Sequence, residues 1–410
     1  MFRKGGGNLY GLAGLTLAAL FVTACGDGSQ SDAVAQELQS GNASDQAPEE
    51  RAECTADTCV GEGEEYSSVQ AAVDAAPDGG SVGIEGGTYE QCAVIPENKS
   101  LTIRGFDGRP HLKSRLCDGK AVLVNYSKGK VVVDGLELSD AGTDKVIWHH
   151  DNTGALILRN VEVHNAGMGI LASTNSERLE IHDSEFYDMD EPTQNGHLVY
   201  AGQVKDLVIK GSYFHSARNG HMIKAKSVNV DIENNYLLDN YGTTANLINI
   251  WGCGTNRVVG NAIVSENKSG AVQAMDVSVR KRYGEVKTCP ANNADITIAY
   301  NSFLKKGETL YSSLLLDSYD MDSMTIENNL VTNARLVKDG STQGVYWYPG
   351  DWNGKNMTVE EDLFTDRFLH VRSAPSAVSS RHQPTEQYAH PTSTESRSDG
   401  SSMGAYQVSP

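Results

Sequence analysis

The sequence predicts an all-β solenoid, a parallel β-helix whose N-terminal end is covered by a short capping helix. Three observations carry that prediction. A short apolar strand recurs about every two dozen residues from Leu101 to Asn328. A second motif recurs beside it, as Asn195-Gly196-His197-Leu198-Val199-Tyr200, then Asn219-Gly220-His221-Met222-Ile223-Lys224, then Ala245-Asn246-Leu247-Ile248-Asn249-Ile250-Trp251. Gly is abundant at 41 residues and aromatics are only 7%, which suits tight turns and short strands better than helices. A period of this length means stacked coils, each burying its apolar side only against its neighbours.

Taken in order, the chain opens on Arg3 and Lys4, then an apolar run over residues 9–22 ending in Val22-Thr23-Ala24-Cys25. A basic start, a short apolar core and small residues before a cut read as an export signal over residues 1–25, too short for a membrane span. The Cys directly after the small residues resembles the lipobox of bacterial lipoproteins. That resemblance implies acylation of Cys25 and a lipid anchor to a bacterial membrane, at the periplasm or cell surface. Cleavage by an ordinary signal peptidase is the alternative. Residues 26–60 are rich in Ser, Asp, Glu, Gln and Ala and read as a disordered tether.

The β-helix is expected over residues 61–372, with order starting near Tyr66. Ser67 and Ser68 are candidate N-caps, and Val69, Ala72, Val73 and Ala76 fall at helical spacing before Pro77-Asp78-Gly79-Gly80. A helix here would cover the unpaired edge of the first coil. With Gly86-Gly87-Thr88-Tyr89 following, the passage resembles the N-terminal cap of the pectin-lyase-like superfamily. That family consists of right-handed parallel β-helices, many of them polysaccharide lyases, hydrolases or epimerases.

From Leu101 the coils are counted by strands beginning at Leu101, Val131, Leu156, Leu179, Leu207, Val230, Val258, Ile296 and Met324. Most close on Asn, Asp or Gly, which suits a left-handed turn residue, and stacked Asn can bond along a column. Longer excursions lie between Asn261 and Ile296, with Arg280-Lys281-Arg282, and at the aromatic segment 345–352. Residues 373–410 turn to Ser, Pro, Thr and His and read as a tail lying along the last coils.

Seven cysteines are present; without Cys25 an even number remains, in an exported and oxidising context. Cys92–Cys117 and Cys253–Cys289 would each staple adjacent coils, and Cys54–Cys59 would close a small loop. Other pairings are open in principle.

Alternation along the second motif sends Val199, Ile223 and Ile248 inward, then Ala201, Ala225 and Ile250. Tyr200, Lys224 and Asn249 then face outward, with Lys226 and Trp251 beside them. In the resembled superfamily such an exterior ladder is where enzymes bind an extended sugar chain. The strand Gly220-His221-Met222-Ile223-Lys224-Ala225-Lys226-Ser227 is similar to the lysine-bearing strand of alginate and chondroitin-type β-helix polysaccharide lyases. Those enzymes abstract the C5 proton of a uronate, protonate the leaving O4 and neutralise the carboxylate.

On that reading Lys224 is the candidate base, with Lys226 as a like charge two residues on that lowers the pKa of both. Tyr200 is the candidate acid and His221 a secondary catalytic candidate. Asn249, Gln273, Lys226 and Trp251 are candidate substrate contacts, and Arg218, Arg280 and Arg282 are candidates for an arginine partner. Two solvated lysines on a sheet face would look the same in sequence, and His197 and His221 could equally be turn histidines bonding backbone. Asp188, Asp190 and Glu191 sit in an acidic loop that could bind calcium, although a plain acidic surface loop explains them as well. No other cofactor is expected.

The formal net charge of −19 argues against nucleic acid or an anionic membrane surface as the main partner. An anionic ligand would need a local basic cluster. The expected partner is an acidic polysaccharide and the expected state a monomer. The leading functional reading is an exported, lipid-anchored lyase of a uronate-containing polymer. Alternatives are a non-catalytic carbohydrate-binding or structural surface protein, and a β-helix glycosidase or uronate epimerase. A glycosidase would need two carboxylates across the cleft; acidic pairs exist in the sequence, but none falls on the Lys224 face in this register.

Overall fold

The computed structural model describes residues 51–190, 196–266, 274–278, 294–306, 314–317, 322–332, 355–374, 376–397 and 402–407. The chain winds as a right-handed parallel β-solenoid in which every coil contributes strands to parallel ladders running along the axis. One ladder is built from the strands counted in the sequence. Its register stacks Leu101 on Val131, Leu156, Leu179, Leu207 and Val230, and Ile103 on Val133, Leu158, Ile181, Ile209, Ile232, Val258, Ile298 and Ile326. These side chains are buried and form one continuous core. Fully burying an aliphatic side chain stabilises by about 1.5–3 kcal/mol, so a column that spans the coils ties each to its neighbours.

Order begins upstream of the expected start. The strand Thr58–Val60 pairs in parallel with Val82–Ile84, and Cys54–Cys59 closes the loop before it. Composition alone hides this strand because its neighbours are polar; the disulfide and the pairing hold it. The helix Val69–Ala75 follows, with the Ser68 side chain accepting from Ala71 N at 3.3 Å. Val69, Ala72 and Val73 are buried against the core, so the apolar stripe read from the sequence is the face that covers the first coil.

The Cys92–Cys117 disulfide is present. Cys253 is also disulfide-bonded; its expected partner Cys289 lies outside the described residues, as do Cys25 and the aromatic segment 345–352.

The left-handed turn positions are Asn160, Asp183, Gly211, Asn234, Gly260, Tyr300 and Asn328, with φ between 49° and 70°. The polar ladder sits one residue further on. Asn235, Asn261, Asn301, Asn329 and Asn356 are buried, and each Nδ2 donates to the next Oδ1 at 2.7–3.0 Å. The same Oδ1 atoms also accept backbone N–H groups, so the ladder satisfies turn donors that would otherwise be orphaned.

Residues 364–374, 376–397 and 402–406 fold back onto the outside of the coils. Phe364, Leu369, Val371, Tyr388, Met403, Ala405 and Tyr406 pack on Tyr213, Tyr236, Ala262, Val264, Leu304 and Leu330. Arg397 anchors this return by donating to the carbonyls of Ser402, Gly404 and Ala405.

Candidate functional site

The short strands Val199–Ala201, His221–Ala225, Asn246–Ile250 and Met275–Ser278 follow one another in register. Tyr200 pairs with Lys224, Lys224 with Asn249, and Asn249 with Asp276. Val199, Ile223 and Ile248 are fully buried on the other side, so the alternation places the Lys224 column outward as the sequence implies. The register brings Asp276 to the next position of the column; Gln273, the residue expected to extend it, lies outside the described residues.

Lys224 and Lys226 share two aromatic faces. Lys224 Nζ lies 5.0 Å from the Tyr200 ring centroid and 5.1 Å from that of Trp251. Lys226 Nζ lies 5.8 and 5.2 Å from the same two rings. Tyr200 comes from the coil before the lysines and Trp251 from the coil after, so the β-stack itself builds the cage. Cation–π attraction of about 0.5–1 kcal/mol per contact holds two ammonium groups side by side, and that pair is the local basic cluster an anionic ligand requires.

Asn249 is only 1% exposed and its Nδ2 donates to Asp276 Oδ2 at 2.9 Å. Its amide therefore positions that carboxylate rather than facing a ligand. The outward stripe accordingly carries one acid, Asp276, beyond Asn249.

His197 and His221 stack with centroids 5.2 Å apart and planes 11° from parallel. His197 is buried, and its Nδ1 accepts the His221 backbone N–H at 2.8 Å, which puts its proton on Nε2. Burial, reinforced by the charges at His221, Lys224 and Lys226, lowers its pKa to about 3. His197 is thus a neutral bracket, and its ring meets the Tyr200 ring edge-on at 5.5 Å. His221 is half-buried and stacks on this bracket instead of standing in the Tyr200–Lys224–Asn249 column.

Arg218 is committed elsewhere: it pairs with Asp190 at 3.3 Å and lies over the Tyr241 ring at 4.1 Å. Arg280 and Arg282 lie outside the described residues. Asp190 also accepts from Asn219 at 3.4 Å and Asp188 from the Tyr241 hydroxyl at 3.3 Å. With Asp140, these two carboxylates line a shallow depression of about 290 Å³. Their protein partners account for both of them, and Glu191 lies outside the described residues.

A second aromatic–cationic cluster on the same face goes unmarked in the sequence reading. Val124 pairs with Trp148, Trp148 with Leu171, and Leu171 with Tyr200, so Trp148 stands three coils before Lys224 in one column. Lys120 Nζ lies 4.2 Å from the Trp148 ring and 3.0 Å from the Tyr126 hydroxyl, and Lys145 Nζ lies 5.2 Å from Trp148. His150 packs between the Tyr126 and Trp148 rings at 4.7 and 4.6 Å. Counting the repeat backward from Lys224 would have found Trp148. The lysines come from neighbouring positions that no period marks.

A family model described as "Right handed beta helix region" matches residues 120–282 and 175–374, together more than half of the chain. No curated protein matches the chain by sequence. Among solved structures, a pectin methylesterase from Aspergillus niger is 12% identical, covering 72% of this chain and 95% of that one at a TM-score of 0.41. Pectate lyase Pel9A is 12% identical over 83% and 90%, with a TM-score of 0.44. A PL6 family polysaccharide lyase from Pseudopedobacter saltans is 14% identical over 74% and 93%, with a TM-score of 0.32. Identities this low carry no residue roles across.

Proposed function

The chain belongs to the right-handed β-helix family, and from that premise we propose that its outward face binds an extended acidic polysaccharide and cleaves it by β-elimination. The observation that carries the reading is the pair Lys224 and Lys226, held between Tyr200 and Trp251 in the middle of an outward stripe. Lys226 supplies positive charge for the uronate carboxylate. Lys224, in its neutral, deprotonated form, takes the proton from C5; the electron pair forms the C4–C5 double bond as the C4–O4 bond breaks. Tyr200, one coil away in the same column, gives its hydroxyl proton to the departing O4. Trp251 and, three coils before Lys224, Trp148 offer flat faces to sugar rings.

Export and a lipid anchor on Cys25 are part of the proposal. The two disulfides Cys54–Cys59 and Cys92–Cys117 support an oxidising compartment. Metabolic labelling with a fatty acid tests the anchor: label retained by Cys25→Ser would refute it.

A panel of uronate polymers, with products read by mass spectrometry, tests the chemistry. Elimination leaves unsaturated ends with no added water. Products that have gained water would overturn elimination and favour hydrolysis, a second reading that Asp276 in the stripe makes specific. Polymer bound but recovered intact would make the face a binding surface.

A further inference from the structure

On a different ladder from the Lys224 stripe, three residues from three consecutive coils converge. His111 lies near the end of the strand Leu101–Lys113, Glu137 opens Glu137–His149, and His164 follows in Glu162–Ala172. The register sets His111 beside Glu137 and Ser139 beside His164. The ligating atoms of the three all lie within 4.8 Å of one another. His111 Nδ1 is 3.2 Å and His164 Nε2 is 3.0 Å from Glu137 Oε1. Two imidazoles and one carboxylate at these separations have the composition and compactness of a three-ligand zinc site.

The surroundings fit the same reading. His111 Nε2 is 2.7 Å from Ser139 Oγ, so its other nitrogen has the outer-shell bond that orients a metal-bound imidazole. The His164 ring stacks on Tyr187, centroids 4.7 Å apart and planes 4° from parallel, and the Tyr187 hydroxyl donates to Glu162 at 2.5 Å. The nearby cation Lys113 is paired with Asp140 at 3.1 Å. The three side chains keep 17–25% of their surface in solvent, which leaves access for an ion and room for a water in a fourth position. Nitrogen ligands select a borderline transition ion over calcium.

We propose that His111, Glu137 and His164 form a binding site for one divalent transition-metal ion of the zinc class, completed by water and stapling three successive coils. This site is independent of the lyase reading, since none of its residues lies in the Lys224 column.

The test is calorimetric titration of the untagged full chain with zinc chloride, alongside the visible absorption of added cobalt(II). One ion per chain, a tetrahedral cobalt spectrum, and affinity falling at least tenfold in Glu137→Gln and His164→Ala with unchanged far-ultraviolet circular dichroism are the expected results. No saturable binding by the natural chain overturns the proposal, and so does equal binding after the His111→Ala/His164→Ala double substitution. Should the variants fail to fold, protection in the natural chain decides. Zinc must slow carbethoxylation of His111 and His164, located by peptide mass spectrometry, and unchanged modification refutes the site.

Discussion

Lys224 and Lys226 would repel one another on a bare sheet; the Tyr200 and Trp251 faces on the coils before and after make their proximity tolerable. If the pair serves as charge clamp and base, the two lysines have separable effects. Lys226→Ala should raise KM more than it lowers kcat, because it removes attraction for the carboxylate. Lys224→Arg should keep binding while losing most of kcat, since a guanidinium stays protonated. Steady-state kinetics on the best polymer check both; equal loss in both constants for both variants would contradict the division of roles. Buried neutral histidines make a second residue-scale prediction. Burial lowers His197 to about 3 and His149 to about 4. Unfolded histidine takes up a proton near pH 6.5, so below that the unfolded chain binds more protons than the folded one. Stability should therefore fall as pH drops from about 6.5 toward 4, by up to about 1.4 kcal/mol per unit for each histidine. Melting temperature against pH measures this, and His197→Asn should flatten the decline.

At the scale of elements, the asparagine ladder and the returning tail hold the later coils. Asn301 bonds Asn261 on one side and Asn329 on the other, all of them buried. Asn301→Leu strands the Asn261 N–H and Nδ2 donors and takes a donor from Asn329 Oδ1 and the Val258 carbonyl, and should cost about 1–3 kcal/mol in denaturant melts, whereas Lys205→Ala, in an exposed ion pair with Glu177, should change stability by less than about 0.5 kcal/mol. Tyr406 is 1% exposed and, among the described residues, its hydroxyl has no hydrogen-bond partner. Tyr406→Phe should thus be neutral or slightly stabilising, while Tyr406→Ala should loosen the tail by about 3 kcal/mol or more. Much of this level is legible in the sequence. The counted strands, the capping helix and the inward register of Val199, Ile223 and Ile248 all follow from period and alternation, because in a solenoid each contact is with the next repeat. What stays hidden depends on contacts without a period. The strand Thr58–Val60 is stabilised by a pairing and a disulfide, not by its own composition. Asp276 goes unread in the stripe because the length of an excursion between coils, unlike the repeat, is set by no pattern. The Lys120 and Lys145 cluster escapes notice for the same reason.

Across the whole molecule, a net charge of −19 opposes an anionic polymer everywhere except where lysines collect. Two such places share one outward column, Trp148 and Lys224 being three coils apart, or about 14 Å at the usual strand spacing. A chain lying along the axis would touch both, and a short oligosaccharide only one. Trp148→Ala should therefore weaken binding of long oligomers roughly tenfold and leave the shortest ones unaffected, as read by calorimetry over a length series. Rising salt should weaken binding of the long oligomers, since the attraction at both clusters is electrostatic.

The direct measurement is the rate at which unsaturated product absorbs in the ultraviolet when the natural chain and Lys224→Ala are given the same uronate polymer. General-base catalysis contributes about 100- to 10,000-fold, so the variant should lose at least two orders of magnitude while keeping its melting temperature. A folded Lys224→Ala that works at the natural rate would contradict the assignment of the reaction to this face.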